Sequence, residues 1–203
     1  MFIQIIQGRV ADARAAREAL DRWVRELAPD SHGWLGTTAG MTDDGTLVAV
    51  VRFETPGSAR RNSDRPEQGE WWLETAKLFS GEVAFHDCSE VEEYLRGGSD
   101  AAGFVQVIQG RIRNPDRMRE LVRRTEQELS EVRPDLIGGT AALHDDDGGY
   151  TETAYFTSEE AAREGERKEL PPRIRESFEE LMSLFEGDPV YFDLRDPWLY
   201  SPK

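Results

Sequence analysis

The chain has a single cysteine, Cys88, in 203 residues. No internal disulfide and no thiolate zinc cluster can form. Basic residues are also scarce. Lys+Arg number 25 against Asp+Glu 40, a net charge of −15, and only three of the basic residues are lysine. A surface with a pI near 4.7 repels polyanions, which argues against nucleic acid as a partner and against anionic membrane surfaces. No apolar run approaches the roughly 20 residues of a spanning helix. The opening Met1-Phe2-Ile3-Gln4-Ile5-Ile6-Gln7 has no basic n-region and no small-residue cleavage site, so it does not read as a signal peptide. These absences predict a soluble, cytoplasmic protein.

Nucleotide and hydrolase motifs are missing as well: no Walker A, no GxGxxG and no GxSxG elbow. Asp145-Asp146-Asp147-Gly148-Gly149 has the composition of a calcium loop without its spaced ligands or terminal Glu, and reads as a hairpin turn. The three histidines, His32, His86 and His144, fall on different elements, so no metal site is expected.

What the chain does have is an internal repeat. Phe2 to Arg9 reads FIQIIQGR and Phe104 to Arg111 reads FVQVIQGR. The match continues through Pro29-Asp30 and Pro134-Asp135, Asp44-Gly45 and Asp147-Gly148, Phe53 and Phe156, Pro66 and Pro172, and Phe79-Ser80-Gly81 with Phe185-Glu186-Gly187. The offset grows slowly, as small loop insertions would make it. The expected division is a first unit over 1–88, a linker over 89–103 with a short helix-like stretch at Ser89–Glu92, and a second unit with its tail over 104–203.

Each unit predicts the same order. A β-rich strand opens it. A helix follows, started by Asp12 or by Asn114-Pro115 and stopped by Pro29 or Pro134. Two strands then meet at an Asp-Gly turn. A second helical region, interrupted by Pro66 or Pro171-Pro172, leads to a closing strand. The order β-α-β-β-α-β, twice, is the ferredoxin-like unit of an α+β protein. Such a unit leaves one sheet face bare, and two copies can cover each other sheet against sheet.

On these residues the chain resembles the dimeric α/β-barrel superfamily, in particular the antibiotic-biosynthesis-monooxygenase-like domains. The resemblance is carried by the two opening strands, the Asp-Gly hairpins, the run Tyr155 to Arg163 and the pair Trp71-Trp72. It implies a fused version of a barrel that family members build from two chains: an internal pseudo-dimer, with further homo-oligomerisation left open. It also implies a small-molecule ligand. Activities in the family include cofactor-independent oxygenation of aromatic polyketide-type substrates, haem degradation and lactone isomerisation, and fold alone does not choose among them. No histidine lies in Leu73 to Phe79, where a haem-degrading member would carry its axial ligand. The expectation is therefore a cofactor-free small-molecule binder, with monooxygenation as the enzyme hypothesis and a non-catalytic ligand-binding or stress-associated role as the alternative.

Candidate site residues follow from the strand faces and from the resemblance. With Ile3 and Ile5 taken as helix-facing, Gln4 and Gln106 are expected to point into the inter-sheet space. Arg52 and Tyr155 are expected there too, because Leu47, Ala49, Val51 and Phe53 form the apolar face of their strand. Gln4 and Arg52 could then bind a substrate oxygen, or simply form a satisfied polar patch, which is the commoner fate of buried polar residues. Trp72 aligns with Phe178 at a core-face position, whereas Trp71 aligns with Ser177 and has no apolar counterpart. By resemblance, Asn62 with Trp71 or Trp72 would position substrate, Asn62 aligning near Lys168. The expected catalytic set is Arg52, Asn62 and Trp71, with Gln4, Trp72, Gln106 and Tyr155 as substrate-binding residues.

Overall fold

A computed structural model describes residues 1–202, with the side chains of Gln127 and Glu128 outside that description. The chain folds as two compact units, one comprising Met1–Glu90 and the chain from Asp196 onward, the other Val91–Arg195.

The first unit runs β1 (Phe2–Arg9), α1 (Ala13–Glu26), β2 (Trp34–Met41), β3 (Thr46–Phe53), α2 (Pro56–Ser63), α3 (Pro66–Thr75) and β4 (Ala84–Cys88). A further strand, β5 (Glu90–Tyr94), precedes β6 (Phe104–Arg111), α4 (Pro115–Val132), β7 (Leu136–Leu143), β8 (Gly149–Phe156), α5 (Glu159–Arg167), α6 (Pro172–Ser183) and β9 (Val190–Leu194). A short β10 (Trp198–Tyr200) ends the chain's regular structure. The repeated β-α-β-β-α-β order is present as expected, with the second helical region of each unit split in two at its prolines.

Local chemistry explains the boundaries. The Asp12 carboxylate accepts from Ala15 N at 2.9 Å to cap α1, and the Asn114 side chain accepts from Arg117 N at 3.1 Å to cap α4. Thr55 and Ser158 cap α2 and α5 in the same way. These contacts satisfy amide donors that the first helical turn leaves free. Pro56, Pro66, Pro115 and Pro172 each stand at the start of a helix, where a missing N–H costs nothing.

The two sheets have strand orders β10-β2-β3-β1-β4 and β5-β7-β8-β6-β9. Each sheet is thus completed by a strand that follows the other repeat in sequence. The segment 89–103, expected as a linker with a helical turn at Ser89–Glu92, instead carries β5. The physical reason is that β7 would otherwise present a row of unpaired backbone groups, whereas a helix of one turn forms few bonds for the residues it fixes. Both β2 and β7 carry an irregularity at the same place, between Trp34 and Gly36 and between Leu136 and Gly138.

The register settles which residues share a face. Gln4 lies opposite Val51 and Asp87, and Ile3 opposite Arg52 and Cys88. Gln4 therefore shares the helix-facing side with Leu47, Ala49, Val51 and Phe53. Ile3, Ile5, Val48, Val50 and Thr38 occupy the other side and are completely buried. This corrects the expected orientation of β1. A wholly apolar face was assigned to the helices, but Ile3 and Ile5 lie on the opposite face, beside Thr38 and Arg52, while the helix side holds Gln4 beside a cavity. Gln106 follows suit, pairing with Ala154 and Asp193.

Candidate functional site

In the first unit a cavity of about 90 Å³ lies between the sheet and its helices. The floor is Gln4 and Ile6 of β1, Thr37 and Ala39 of β2, and Leu47, Ala49, Val51 and Phe53 of β3. The roof is Ala16, Leu20 and Trp23 of α1, Asn62 and Ser63 of α2, and Gln68, Trp71, Trp72 and Thr75 of α3, with Trp198 of β10 at one side. None of these side chains is ionisable. The recurrent material is indole: Trp23, Trp71, Trp72 and Trp198 all line the cavity.

The indoles brace one another. Trp23 meets Trp34 edge-on at 5.2 Å and Trp71 at 6.4 Å, and Trp72 meets Phe85 edge-on at 5.2 Å. Such contacts contribute ~1 kcal/mol each beyond burial. Their polar handles are satisfied. Trp71 Nε1 donates to the Ala19 carbonyl at 2.9 Å, tying α3 to α1, and Trp23 Nε1 donates to Gln68 Oε1 at 2.6 Å. Trp34 Nε1 donates to Thr37 Oγ1 at 3.0 Å.

Some polar capacity is left over. Asn62 is buried, with 7% exposure; its Oδ1 accepts from Arg65 Nη1 at 3.2 Å, and its amide N–H groups have no partner among the described residues. Gln68 uses its oxygen for Trp23 and keeps its N–H groups. Gln4 Nε2 donates to Asp87 Oδ1 at 2.8 Å, which leaves its oxygen available. The cavity therefore offers amide donors from α2 and α3 and an amide acceptor from β1, within an apolar and aromatic enclosure.

The expected residues divide accordingly. Gln4, Asn62, Trp71 and Trp72 converge on this cavity. Arg52 and Tyr155 do not belong with them. Each lies on the opposite face of its sheet, Arg52 buried with no hydrogen bond to its Nε and Tyr155 at zero exposure. The expected pairing of Gln4 with Arg52 on one substrate atom is thereby overturned. Gln106 faces its own unit's helices, where its Nε2 donates to Asp193 Oδ1 at 2.9 Å.

Two alignments within the repeat also change. Asn62 sits seven residues after the cap Thr55, and Gly165 seven after Ser158, so Gly165 rather than Lys168 is its counterpart. The guanidinium of Arg133 packs over Gly165 in the volume an Asn62-like side chain would need, held by Asp135 at 2.7 Å. On α6 the expected core position Phe178 is 53% exposed, whereas Ser177 is buried. Ser177 Oγ takes an N–H from Arg124 at 2.7 Å and donates to the Arg173 carbonyl at 3.0 Å. The inward face of both helices is thus the Trp71/Ser177 side. Trp72 is only partly buried and leans on the half-exposed Phe85.

Residue-by-residue reading missed Glu152, Tyr150 and Tyr94. In the second unit Tyr150 and Glu152 stand where the first has the cavity residues Leu47 and Ala49. The Glu152 carboxylate accepts from Tyr94 Oη at 2.8 Å and from Tyr150 Oη at 3.0 Å. Burial pushes the Glu152 carboxyl above its ordinary range, and the two tyrosine hydrogen bonds oppose that rise. The two tyrosine hydroxyls are pushed well above theirs, by burial and by the neighbouring carboxylate. The signal was present in the repeat, because a glutamate replaces an alanine on a helix-facing strand position.

Two ferredoxin-like units, each with a helix-covered sheet, one of them enclosing an aromatic cavity, define an α+β protein. Comparison with known proteins agrees on the fold. No family model matches the chain, and no curated protein matches it by sequence. Among solved structures, a candidate monooxygenase from Lactobacillus acidophilus NCFM superposes with a TM-score of 0.73 at 13% identity, covering 98% of this chain and 99% of that one. A candidate monooxygenase from Fusobacterium nucleatum gives 0.75 at 8% identity over 98% and 94% of the two chains. An anthrone oxidase-like protein gives 0.63 at 7% identity over 98% and 93%. The fold is the one these structures share, with two ferredoxin-like units in tandem within one chain.

Proposed function

We propose that the first unit binds a small, neutral, largely aromatic molecule carrying an acceptor oxygen. The observation that carries this reading is the cavity itself: four indoles around a space into which Asn62 and Gln68 bring unused amide donors. Apolar pockets with a few convergent polar groups are the usual form of small-molecule sites. Size adds a limit. At about 90 Å³ the space is smaller than the ~150 Å³ of an apolar cavity that takes benzene. One ring, part of it at the mouth, is what the present shape admits.

Oxygenation without a cofactor is the enzyme reading; among the fold neighbours, two are described as monooxygenases and one as anthrone oxidase-like. For a methylene activated by flanking aryl rings, one methylene and one dioxygen give one ketone and one water. Two C–H bonds break and a C=O bond forms. The substrate supplies all four electrons, one oxygen atom enters the carbonyl and the other leaves as water. Asn62 and Gln68 would donate to the substrate oxygen that bears charge after deprotonation. The lining has no ionisable side chain to remove that proton, so the substrate would have to be acidic enough to ionise near neutral pH. The same lack favours the second reading, a binding protein without turnover.

Tryptophan emission gives the test, since four of the five indoles line the cavity. The full chain would be titrated with acetophenone, 1-tetralone and anthrone, with oxygen uptake recorded in parallel. Saturable quenching that is tightest for the one-ring ketone, and at least tenfold weaker in Asn62→Leu, supports the site; about tenfold is what one lost hydrogen bond to a buried group costs. No saturable quenching rejects it. Oxygen uptake with an ionisable substrate selects the enzyme reading, and binding without uptake selects the other.

A further inference from the structure

The second unit already holds a phenol where the first has open space, and the phenol is its own. Tyr94 on β5 lays its ring over Gly139 of β7, so closely that a methyl group at Gly139 would collide with it. Its hydroxyl ends on the Glu152 carboxylate at 2.8 Å, and Tyr150 holds the other carboxylate oxygen at 3.0 Å. Tyr94 is 6% exposed and Tyr150 fully buried.

The first unit shows why this is a built arrangement. Tyr200 of β10 pairs with Thr37, the counterpart of Gly139. There a threonine side chain covers the floor, and Tyr200 turns instead to α1, donating to Asp21 Oδ1 at 2.6 Å. Three differences between the repeats act together. Thr37 becomes Gly139 and clears the floor. Ala49 becomes Glu152 and supplies an acceptor. Leu47 becomes Tyr150 and fixes that acceptor. Together they seat the hydroxyl end of a phenol over a glycine, with the hydroxyl bonded.

We propose that Gly139, Tyr150 and Glu152 form a binding site for a neutral phenol, which Tyr94 occupies as an internal ligand. The ligand class follows from the chemistry. A carboxylate accepts a phenolic O–H and repels a phenolate, and a glycine floor admits a flat ring. Tyr94 is followed by Leu95, which holds φ at +57°, a region unfavourable for a branched side chain. The strand that delivers the ring thus ends on a strained residue, whose N–H is held by Glu126.

The test is to remove the internal ligand from the full chain and offer it back. p-Cresol is the tyrosine side chain as a free molecule. Tyr94→Ala should bind one more p-cresol than the native protein by calorimetry, with toluene at least tenfold weaker. All five tryptophans lie in the first unit, so this added site should leave tryptophan emission unchanged. That separates it from the first unit's cavity, and either site can fail without the other. A folded Tyr94→Ala that takes no additional p-cresol, or takes toluene equally well, overturns the proposal. If Tyr94→Ala does not fold alone, millimolar p-cresol should restore its melting transition and toluene should not; no restoration also overturns it. Tyr94→Phe keeps the ring in place, so it should stay folded, bind no added p-cresol and melt below the native protein. Melting at the native temperature would show that the hydroxyl–Glu152 contact does not hold the ring.

Discussion

The two units share an order of elements, their side-chain-capped helix starts and their strand irregularities, yet they treat the space between sheet and helices in opposite ways. The first lines it with Ile6, Ala39, Leu47 and Ala49 under a roof of indoles and leaves a cavity. The second puts Tyr150 and Glu152 on the same strand positions and lays Tyr94 across a glycine. The helix contacts differ in kind as well. In the first unit α3 is tied to α1 by the Trp71 indole on the Ala19 carbonyl. In the second, α6 is tied to α4 by Arg117, whose Nε and Nη2 grip Glu180 at 2.6 and 2.7 Å, and by Arg124 on Ser177. A two-pronged grip of this kind suits a guanidinium and not an ammonium, which accounts for some of the preference for arginine over lysine. A duplicated fold can thus keep a sheet–helix cavity in one copy and fill the corresponding positions with polar side chains in the other.

The largest way to break the comparison is Trp71→Ala. It removes a wall of the cavity and the α3–α1 hydrogen bond together. Stability should fall by about 2 kcal/mol, below the range for fully buried aromatic truncations because Trp71 is partly buried, and ketone binding should be lost by tryptophan-quenching titration. The corresponding second-unit position is already a serine, so Ser177→Ala should leave ketone binding intact.

A smaller effect is expected from Glu152→Gln, and its sign is fixed by linkage. A carboxyl whose folded-state pKa is raised binds its proton more tightly folded than unfolded. Its contribution to stability is fully present below the ordinary carboxylate pKa and is lost as pH rises through the raised folded value. The groups around it are Tyr94 of β5, Tyr150 of its own strand and Tyr191 of β9, none of which ionises in that window. Glutamine mimics the protonated form. Urea midpoints of the native protein and of Glu152→Gln should therefore lie close together at acidic pH and diverge toward neutral pH, with the variant the more stable. A native midpoint that gained on the variant as pH rose would contradict the assignment.

The smallest expected effect belongs to Arg52→Leu. Arg52 lies on the sheet face away from the cavity, so ketone affinity should not change. A loss of affinity would show that the two faces communicate.

How much of this was legible in the sequence varies by level. The repeat Phe2–Arg9/Phe104–Arg111, the Asp-Gly turns and the cap residues were enough for the element order, because each depends on local chemistry. Asn62, Trp71, Trp72 and Gln4 were picked out and do converge. Arg52 and Tyr155 were placed with them through an inverted reading of β1. In a strand with Ile3, Ile5 and Ile6 around Gln4, alternation alone does not say which face meets the helices; the pairing of Gln4 with Val51 does. Glu152 was visible as a departure from Ala49 but carried no motif. Tyr94 was hidden because its strand pairs with a segment some forty residues on, a non-local choice that no short window records.

The central claim is that the native protein takes its aromatic ligand in the sheet–helix cavity of the first unit, at the positions that Tyr150 and Glu152 fill in the second. The most direct measurement is a ¹H–¹⁵N NMR titration of the native chain with acetophenone, following the five indole N–H signals and the backbone amides. Saturable shifts are predicted at the Trp23, Trp71 and Trp72 indoles and at Asn62, with Gly139, Tyr150 and Glu152 unmoved. Shifts centred on the second unit, or none in either, would contradict it.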